Sequence, residues 1–317
     1  MANHNRLWAM LALTLALMGG YFVWDNTQFT PFVNGLRLKT LAAMVVTAMA
    51  LGSATLLFHA ISNNRIVTPS SLGLEFLYVL AKTSFVFFFG SAALMHISVV
   101  WQFVFGCAIL IGFALLLYRM FFKNGRENVF YLLLIGMICM SLFMSINTFL
   151  GMLMNPNEFQ IAQDAGFATF NQVDATVLAL AACIVLPLTL YSFSLSRQLD
   201  VLALGRETAI NLGIEYERFG KKVMIVVAVL MATATSLAGP MFFFGLLILN
   251  VTLQWVPTIR HRVLFPAIIL VSTMVLVLGQ TVVLHLLNFK TELDVIINFV
   301  GGVYFFWLLL KANKQWQ

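Results

Sequence analysis

Long apolar runs alternate with short polar segments along the whole of the 317-residue chain. A helix needs about 20 apolar residues to cross the hydrocarbon core of a bilayer. On that length the pattern predicts ten membrane-spanning helices, and it contains no strand-like alternation typical of a closed β-barrel. The predicted spans cover residues 7–24, 40–61, 73–90, 94–118, 128–150, 174–195, 222–238, 240–255, 263–285 and 294–311.

The composition agrees with an all-α polytopic membrane protein. Hydrophobic residues make up 61% of the chain and charged residues 9%, which is more apolar material than a soluble core of this length uses. No A-x-A-like cleavage site follows the first run, so residues 7–24 are interpreted as a retained first helix. No linker rich in Pro, Gly or Ser interrupts the chain, so residues 1–317 are treated as a single transmembrane domain.

Basic residues are distributed unevenly between the predicted loops. With both termini in the cytoplasm, fourteen of the eighteen Lys and Arg residues lie on the inner side, and only Arg37, Lys39 and Lys290 lie outside. This bias follows the positive-inside rule and supports an even number of spans. Because topology explains the net charge of +6, no nucleic-acid partner is predicted.

One basic residue, Lys82, falls inside the third predicted span, where a charge is costly to insert. Glu75 lies seven positions earlier on the same helical face. Two interpretations stay open: a snorkelling lysine or structural pair, and a charge that lines the route of an anionic substrate. Met140 and Met144, in a Met-rich part of the fifth span, are further candidates for that route, with ordinary packing as the alternative.

A polar island interrupts the apolar pattern between the sixth and seventh spans. Residues 197–222 hold four acidic and five basic residues, so this segment must lie in water or against another protein. Within it, Gly205 and Gly213 flank a short helix signal, which predicts a rigid docking helix; a generic amphipathic surface loop is the alternative. The chain has no G-x-x-x-x-G-K-[ST] phosphate loop of its own. If ATP supplies its energy, the partner that docks on this helix would hydrolyse it.

Side chains that carry chemistry show no arrangement typical of an enzyme or a metal site. The histidines never pair at metal-ligand spacing, and neither H-E-x-x-H nor a nucleophile–base constellation occurs. The cysteines are odd in number and lie inside apolar runs, where packing is their expected role. No metal ligand and no catalytic residue is therefore predicted. The residues considered are His4, His59, His96, His261, His285, Cys107, Cys139 and Cys183.

Five places in the sequence carry a recognisable pattern. They are Leu36-Arg37-Leu38-Lys39-Thr40-Leu41; Asn64-Arg65-Ile66-Val67-Thr68-Pro69-Ser70-Ser71-Leu72-Gly73; Leu204-Gly205-x3-Ala209-x2-Leu212-Gly213; Ala238-Gly239-Pro240-Met241-Phe242-Phe243-Phe244-Gly245-Leu246 with the later His261-Arg262-x3-Pro266; and Glu292-Leu293-Asp294-Val295. Together they resemble the iron-siderophore and vitamin B12 ABC permeases, the FecCD/BtuC-like family, over residues 36–311. Leu38 and Asp294 stand where the family has proline, and the N-R-I-V-T-P-S form is similar to the catecholate-siderophore branch.

The resemblance implies a BtuC-like permease of the type II ABC importers. It implies no cofactor bound by this chain, with ATP and Mg²⁺ on a partner subunit. The implied ATPase-coupling residues are Leu204, Gly205, Arg206, Ala209, Leu212 and Gly213. The implied contacts with a substrate-binding protein are Arg37, Lys39, His285 and Lys290, for which anchoring at the bilayer interface is the alternative.

The function that the resemblance implies is import of ferric siderophore, of the catecholate type, across a bacterial cytoplasmic (inner) membrane. Its implied partners are ABC ATPase subunits, a second permease that is a paralogue of this chain, a substrate-binding protein and membrane lipid. The alternative is an ion-coupled secondary transporter of a small organic solute, which ordinarily needs ionisable groups deep in the bundle. A membrane-embedded enzyme, the third interpretation, would show clustered His, Asp or Glu at helix ends.

Overall fold

The computed structural model describes residues 2–23, 30–64, 67–122, 129–171, 173–287 and 291–313. Within these ranges the backbone forms thirteen α-helices and one short 3-10 helix, η1, and contains no strand. The helices are α1 (Ala2–Val23), α2 (Pro31–Ser62), η1 (Pro69–Leu72), α3 (Leu74–His96), α4 (Val99–Phe122), α5 (Val129–Leu153), α6 (Pro156–Asp164), α7 (Ala175–Ser194), α8 (Ser196–Leu202), α9 (Arg206–Asn211), α10 (Tyr216–Ala238), α11 (Phe244–Trp255), α12 (His261–His285) and α13 (Leu293–Asn313).

Ten apolar helices occupy the positions of the ten predicted spans, which confirms the all-α polytopic class. Eight of them are long and apolar enough to cross a membrane, namely α1, α2, α3, α4, α5, α7, α10 and α12. The other two, Phe244–Trp255 and Leu293–Trp307, are shorter apolar helices. The protein is therefore a multi-pass membrane protein.

Helix α2 lies at the centre of the core, with α10 and α12 packed against it. Its buried surface is rich in small side chains, including Ala43, Ala50 and Gly52. A Cβ atom on Gly52 would lie 2.9 Å from Ser272 Oγ of α12, so the glycine lets the two helices approach closely. Small residues give transmembrane helices this close contact, because lipid supplies no hydrophobic force that would press them together.

Two hydrogen bonds fix which helix ends lie together. Thr40 Oγ1, near the start of α2, donates to Phe170 O at 3.3 Å. Gln280 Nε2, near the end of α12, donates to Asn171 Oδ1 at 2.7 Å. The start of α2 and the end of α12 therefore share one end of the bundle, whereas the start of α12 and the polar island share the other.

The segment after α2 turns back into the protein. With 32 residues α2 is roughly 48 Å long, more than the hydrocarbon core needs. After the left-handed Asn63, residues 67–70 and Leu72 lie buried, and a Cβ atom on Gly136 of α5 would be 2.8 Å from Leu72 Cα. The sequence predicted a cytoplasmic loop over residues 62–72. The second half of this segment is instead packed between helices of the bundle.

A break separates α10 from α11. Gly239 has φ 94°, and a Cβ atom on it would lie 2.6 Å from Ala168 Cα, so only glycine fits this turn. The next helix begins at Phe244 rather than at the predicted residue 240, and its 12 residues span only about 18 Å. The predicted eighth span is therefore a short helix preceded by non-helical backbone, which is tolerated at membrane depth where protein surrounds it.

Candidate functional site

The polar island folds into two short helices, α8 and α9, at one end of the bundle. Gly205 and Gly213, at the two ends of α9, have φ angles of 99° and 84°. A Cβ atom on either glycine would meet no atom within 4 Å, so backbone conformation, not space, requires glycine there. The short helix predicted between the two glycines is present.

Helix α9 presents an apolar edge to its surroundings. Leu204 is 54% exposed, Ile210 is 50% exposed and Leu212 is 60% exposed. Arg206 is also exposed, and its guanidinium lies 5.8 Å from the centre of the Tyr216 ring. Exposed leucine and isoleucine side chains on a polar segment are typical of a surface that another protein covers.

Ala209 differs from the other predicted coupling residues, because it is fully buried under α9. Its carbonyl accepts a hydrogen bond from Ile214 N at 3.0 Å, which closes the turn after the helix. Ala209 therefore seats α9 on the bundle and does not face a partner. The sequence did not point to Ile210, the exposed apolar residue next to Ala209. Only the packing of α9 on the bundle shows which face of the helix is buried and which is exposed.

Two open grooves flank α9. One, of about 510 Å³, runs between α7, α8 and α10, and the other, of about 530 Å³, lies between α9 and the start of α10. Gly213, Ile214, Glu215 and Arg218 border both grooves. Arg218 forms an exposed ion pair with Glu215 at 2.8 Å. The surface thus combines an apolar edge with charged rims, as protein interfaces do.

Asp200 connects the polar island to the long helix α12. Its carboxylate accepts hydrogen bonds from both the backbone N and the Nδ1 of His261, each at 2.7 Å. His261 is the first residue of α12 and is almost completely buried. Sequence reasoning identified the His261-Arg262 motif but not Asp200, because the two partners are 61 positions apart.

At the opposite end, Arg37 caps a neighbouring helix. Its Nη1 donates to Phe22 O at 2.9 Å and to Tyr21 O at 3.2 Å, the last carbonyls of α1. A cation at a helix C-terminus satisfies orphan carbonyls and complements the helix dipole. This contact gives Arg37 a structural role in addition to the predicted docking role.

The other predicted docking residues lie near the same end. Lys39 is half-buried in the first part of α2, and His285 is half-buried at the last residue of α12. Asp174 caps α7, and hydrogen bonds from the backbone of Thr176 and then Val177 lower the pKa of its carboxyl, with the Lys39 charge adding a smaller effect. Lys290 lies outside the described residues.

Glu75 and Lys82 do not form the pair that their spacing suggested. The Glu75 carboxylate is completely buried, and its Oε1 accepts hydrogen bonds from Ser70 Oγ and from Met241 N, both at 3.2 Å. It therefore stabilises the break before α11 and has no surface on this chain from which to touch a substrate. The structural-pair interpretation is wrong because each side chain has a nearer partner on another segment.

Lys82, Met140 and Met144, the other residues predicted to line the route, lie in different surroundings. Lys82 Nζ donates to Gln102 Oε1 of α4 at 2.9 Å. Gln102 Nε2 in turn donates to Leu94 O and Ile97 O, so the lysine lies close to the α3–α4 turn. On α5, Met140 packs beside Gly73, whereas Met144 is 57% exposed.

Comparisons with known proteins agree with this architecture. A solved structure described as an inward-facing conformation of a protein assigned as a metal-chelate type ABC transporter superposes with a TM-score of 0.83 at 20% identity, covering 96% of this chain and 98% of that one. This likeness shows the fold: the two chains share one architecture over nearly their whole length.

Sequence relatives are closer. The petrobactin import system permease protein YclO of Bacillus subtilis (strain 168) is 41% identical over 316 residues, 100% of both chains. The petrobactin permease FatC of Bacillus anthracis is 30% identical, covering 98% of this chain and 90% of its own, and FatD of the same organism is 22% identical, covering 98% and 94%. The profile of the FecCD transport family matches residues 7–311. The chain therefore belongs to the FecCD transport family.

Proposed function

We propose that this chain is the permease subunit of an ABC importer that carries a ferric siderophore of the catecholate type into the cytoplasm. The observation that carries the proposal is the exposed helix α9, held between two left-handed glycines at the polar end of the bundle. In a protein of this family, such a helix fits a groove on a soluble subunit and follows that subunit's movement.

The partner at α9 is an ABC ATPase, which binds ATP and Mg²⁺ and hydrolyses the nucleotide. The sequence has no phosphate-binding loop of its own. Leu204, Ile210 and Leu212 supply the apolar contact, and Arg206 stands beside them. Ala209, Gly205 and Gly213 fix the position and direction of the helix.

A second permease completes the pathway, and it is a paralogue of this chain. In support, the relatives include two petrobactin permeases from one organism, FatC and FatD. A substrate-binding protein delivers the cargo at the opposite end, where Lys39 lies near Asp174 and where α12 ends at His285. Exposed side chains of α5, with Met144 among them, contribute to the route between the two subunits.

The chain resides in the bacterial inner membrane with both termini on the cytoplasmic side. Arg6 Nη1 near the start of α1 donates to Trp255 O at 3.0 Å, and Gln254 Nε2 donates to the Tyr304 hydroxyl of α13 at 2.7 Å. Trp255 and Gln254 end α11 on the side from which α12 starts, next to Asp200. These contacts support one common side for the two termini and α9.

The cargo proposal rests on the relatives' names. Three of the similar permeases are named for petrobactin, a catecholate-type siderophore. The test is uptake of radioactive iron from ferric catecholates, ferric hydroxamates and free iron, in cells with and without this chain. Loss of catecholate uptake that follows ATP depletion supports the proposal. Uptake that survives ATP depletion but stops with the membrane potential would indicate an ion-coupled transporter instead.

A further inference from the structure

A cavity of about 270 Å³ opens between α3 and α4. Its walls are almost entirely apolar and include Phe85, Phe105 and Ile109. Two polar side chains, Lys82 and Gln102, line the same cavity. An apolar space with one cation at its wall has the chemistry of a site for an anionic amphiphile.

The Lys82 charge has no counter-ion in the part of the chain that the structure describes. Its Nζ makes one hydrogen bond, to the neutral Gln102 Oε1, and lies 5.6 Å from the centre of the Tyr78 ring. An ammonium group offers three donors, so donor capacity is left over. A charge in apolar surroundings is costly unless it is paired, which favours an anionic ligand here.

In the orientation proposed above, the cavity lies towards the outer end of the bundle, next to the α3–α4 turn. Gln102 bonds to the carbonyls of the α3–α4 turn, and the neighbouring Trp101 is 58% exposed, as expected of a tryptophan at the bilayer surface. Gly90 of α3 approaches Glu158 of α6, whose following loop contacts the end of α10 far from α9. Below the cation, Phe105 and Ile109 are 57% and 42% exposed along α4.

We propose that this cavity binds an anionic phospholipid of the outer leaflet. The lipid phosphate accepts a hydrogen bond from Lys82 Nζ near the turn, and an acyl chain lies along Phe105 and Ile109 towards the bilayer centre. The assignment rests on the combination of one cation without a counter-ion among the described residues and an apolar cavity that continues along the exposed side chains of α4, which suits a phosphate with an acyl chain attached. This site is independent of the cargo and of the ATPase contact.

The experiment is native mass spectrometry of the full chain, in the assembly in which it purifies, from micelles that contain phosphatidylglycerol or phosphatidylcholine. Wild-type protein is expected to retain phosphatidylglycerol in preference to phosphatidylcholine. Lys82→Met is expected to weaken that retention about tenfold, the effect of one charge-assisted hydrogen bond. Lys82→Arg restores the preference, because the guanidinium keeps the positive charge and its donors.

A second variant tests the cavity without touching the charge. Ala81→Phe fills the space beside Lys82 and is expected to abolish retention while the melting temperature in lipid-free detergent stays near that of the wild type. Equal retention by wild type and Lys82→Met, or full retention by Ala81→Phe, would overturn the proposal. So would stabilisation by inorganic phosphate or glycerol phosphate alone that depends on Lys82, or displacement of the lipid by a ferric catecholate, since either identifies a different ligand.

Discussion

The Asp200 carboxylate accepts two hydrogen bonds from His261, one from its backbone N–H and one from Nδ1, each at 2.7 Å. An ionised carboxylate only accepts, so the Nδ1 of the imidazole carries the proton. Asp200 ends the first turn of a short helix next to α9, and His261 starts a helix that packs along α1 and α2. The pair therefore forms a mechanical connection between the proposed ATPase contact and the centre of the bundle.

Replacing Asp200 with alanine should separate ATP hydrolysis from transport. The first turn of α12 loses its acceptor, and the buried imidazole is left unpaired, at a cost of roughly 1–2 kcal/mol. We expect Asp200→Ala to lower the iron imported per ATP hydrolysed in proteoliposomes. Asp200→Asn keeps one acceptor oxygen and should retain most coupling. Unchanged stoichiometry in Asp200→Ala would exclude the connection.

Gly205 should tolerate no side chain, although space is available. Its φ of 99° with ψ of 161° is accessible almost only to glycine, so Gly205→Ala should cost about 1–3 kcal/mol locally and misdirect α9. We expect weaker co-purification of the ATPase with normal membrane insertion. Gly112→Ala is the matched control, because that glycine is helical and also has open space around it. Equal co-purification for both variants would contradict the assignment of α9.

Two neighbouring residues of α9 should respond differently to the same charge. Ala209→Glu buries a carboxylate under the helix and should reduce the amount of folded protein in the membrane. Ile210→Glu places the carboxylate on the exposed edge, so the protein should fold normally but bind its ATPase less well. Fluorescence-detected size exclusion and pull-down measure the two effects. Normal ATPase binding by Ile210→Glu would remove the apolar edge from the proposed interface.

Variants of Arg37 and Lys39 should distinguish a structural role from a role in docking the substrate-binding protein. Arg37→Met leaves the terminal carbonyls of α1 without their donor and should lower thermal stability by about 1 kcal/mol. Lys39→Glu should leave stability nearly unchanged and weaken docking of the substrate-binding protein most strongly at low salt. Melting curves and binding measured over a salt series distinguish the two. Docking by Lys39→Glu that equals wild type at low salt would leave Lys39 as an interface anchor.

The buried Glu75 should act through its oxygen rather than its charge. Glu75→Ala leaves the Met241 N–H and the Ser70 hydroxyl without their acceptor and should destabilise the protein by about 1–3 kcal/mol. Glu75→Gln keeps the acceptor and removes a buried charge, so it should be as stable as the wild type or more so. Thermal unfolding of the three proteins in one detergent tests this order. Equal melting of Glu75→Ala and wild type would contradict the role given to the carboxylate.

Features that depend on local pattern were predictable from the sequence. The length of each apolar run predicted the membrane helices, because a bilayer of fixed thickness demands about 20 apolar residues wherever the run occurs. The glycines at 205 and 213 predicted the bounds of α9, because a left-handed backbone turn favours glycine regardless of its neighbours. Motifs along the chain likewise indicated the family to which it belongs.

Features that depend on contacts between distant segments were decided by the tertiary structure alone. Glu75 and Lys82 share a helical face, yet one bonds to Met241 and the other to Gln102, because packing brings each a nearer partner. The same holds for Asp200 and His261, and for the burial of Ala209 beside an exposed Ile210. A sequence gives the period of a helix but does not show which neighbour each face of the helix contacts. Buried polar groups then pair with whichever group the packed helices bring within hydrogen-bond distance.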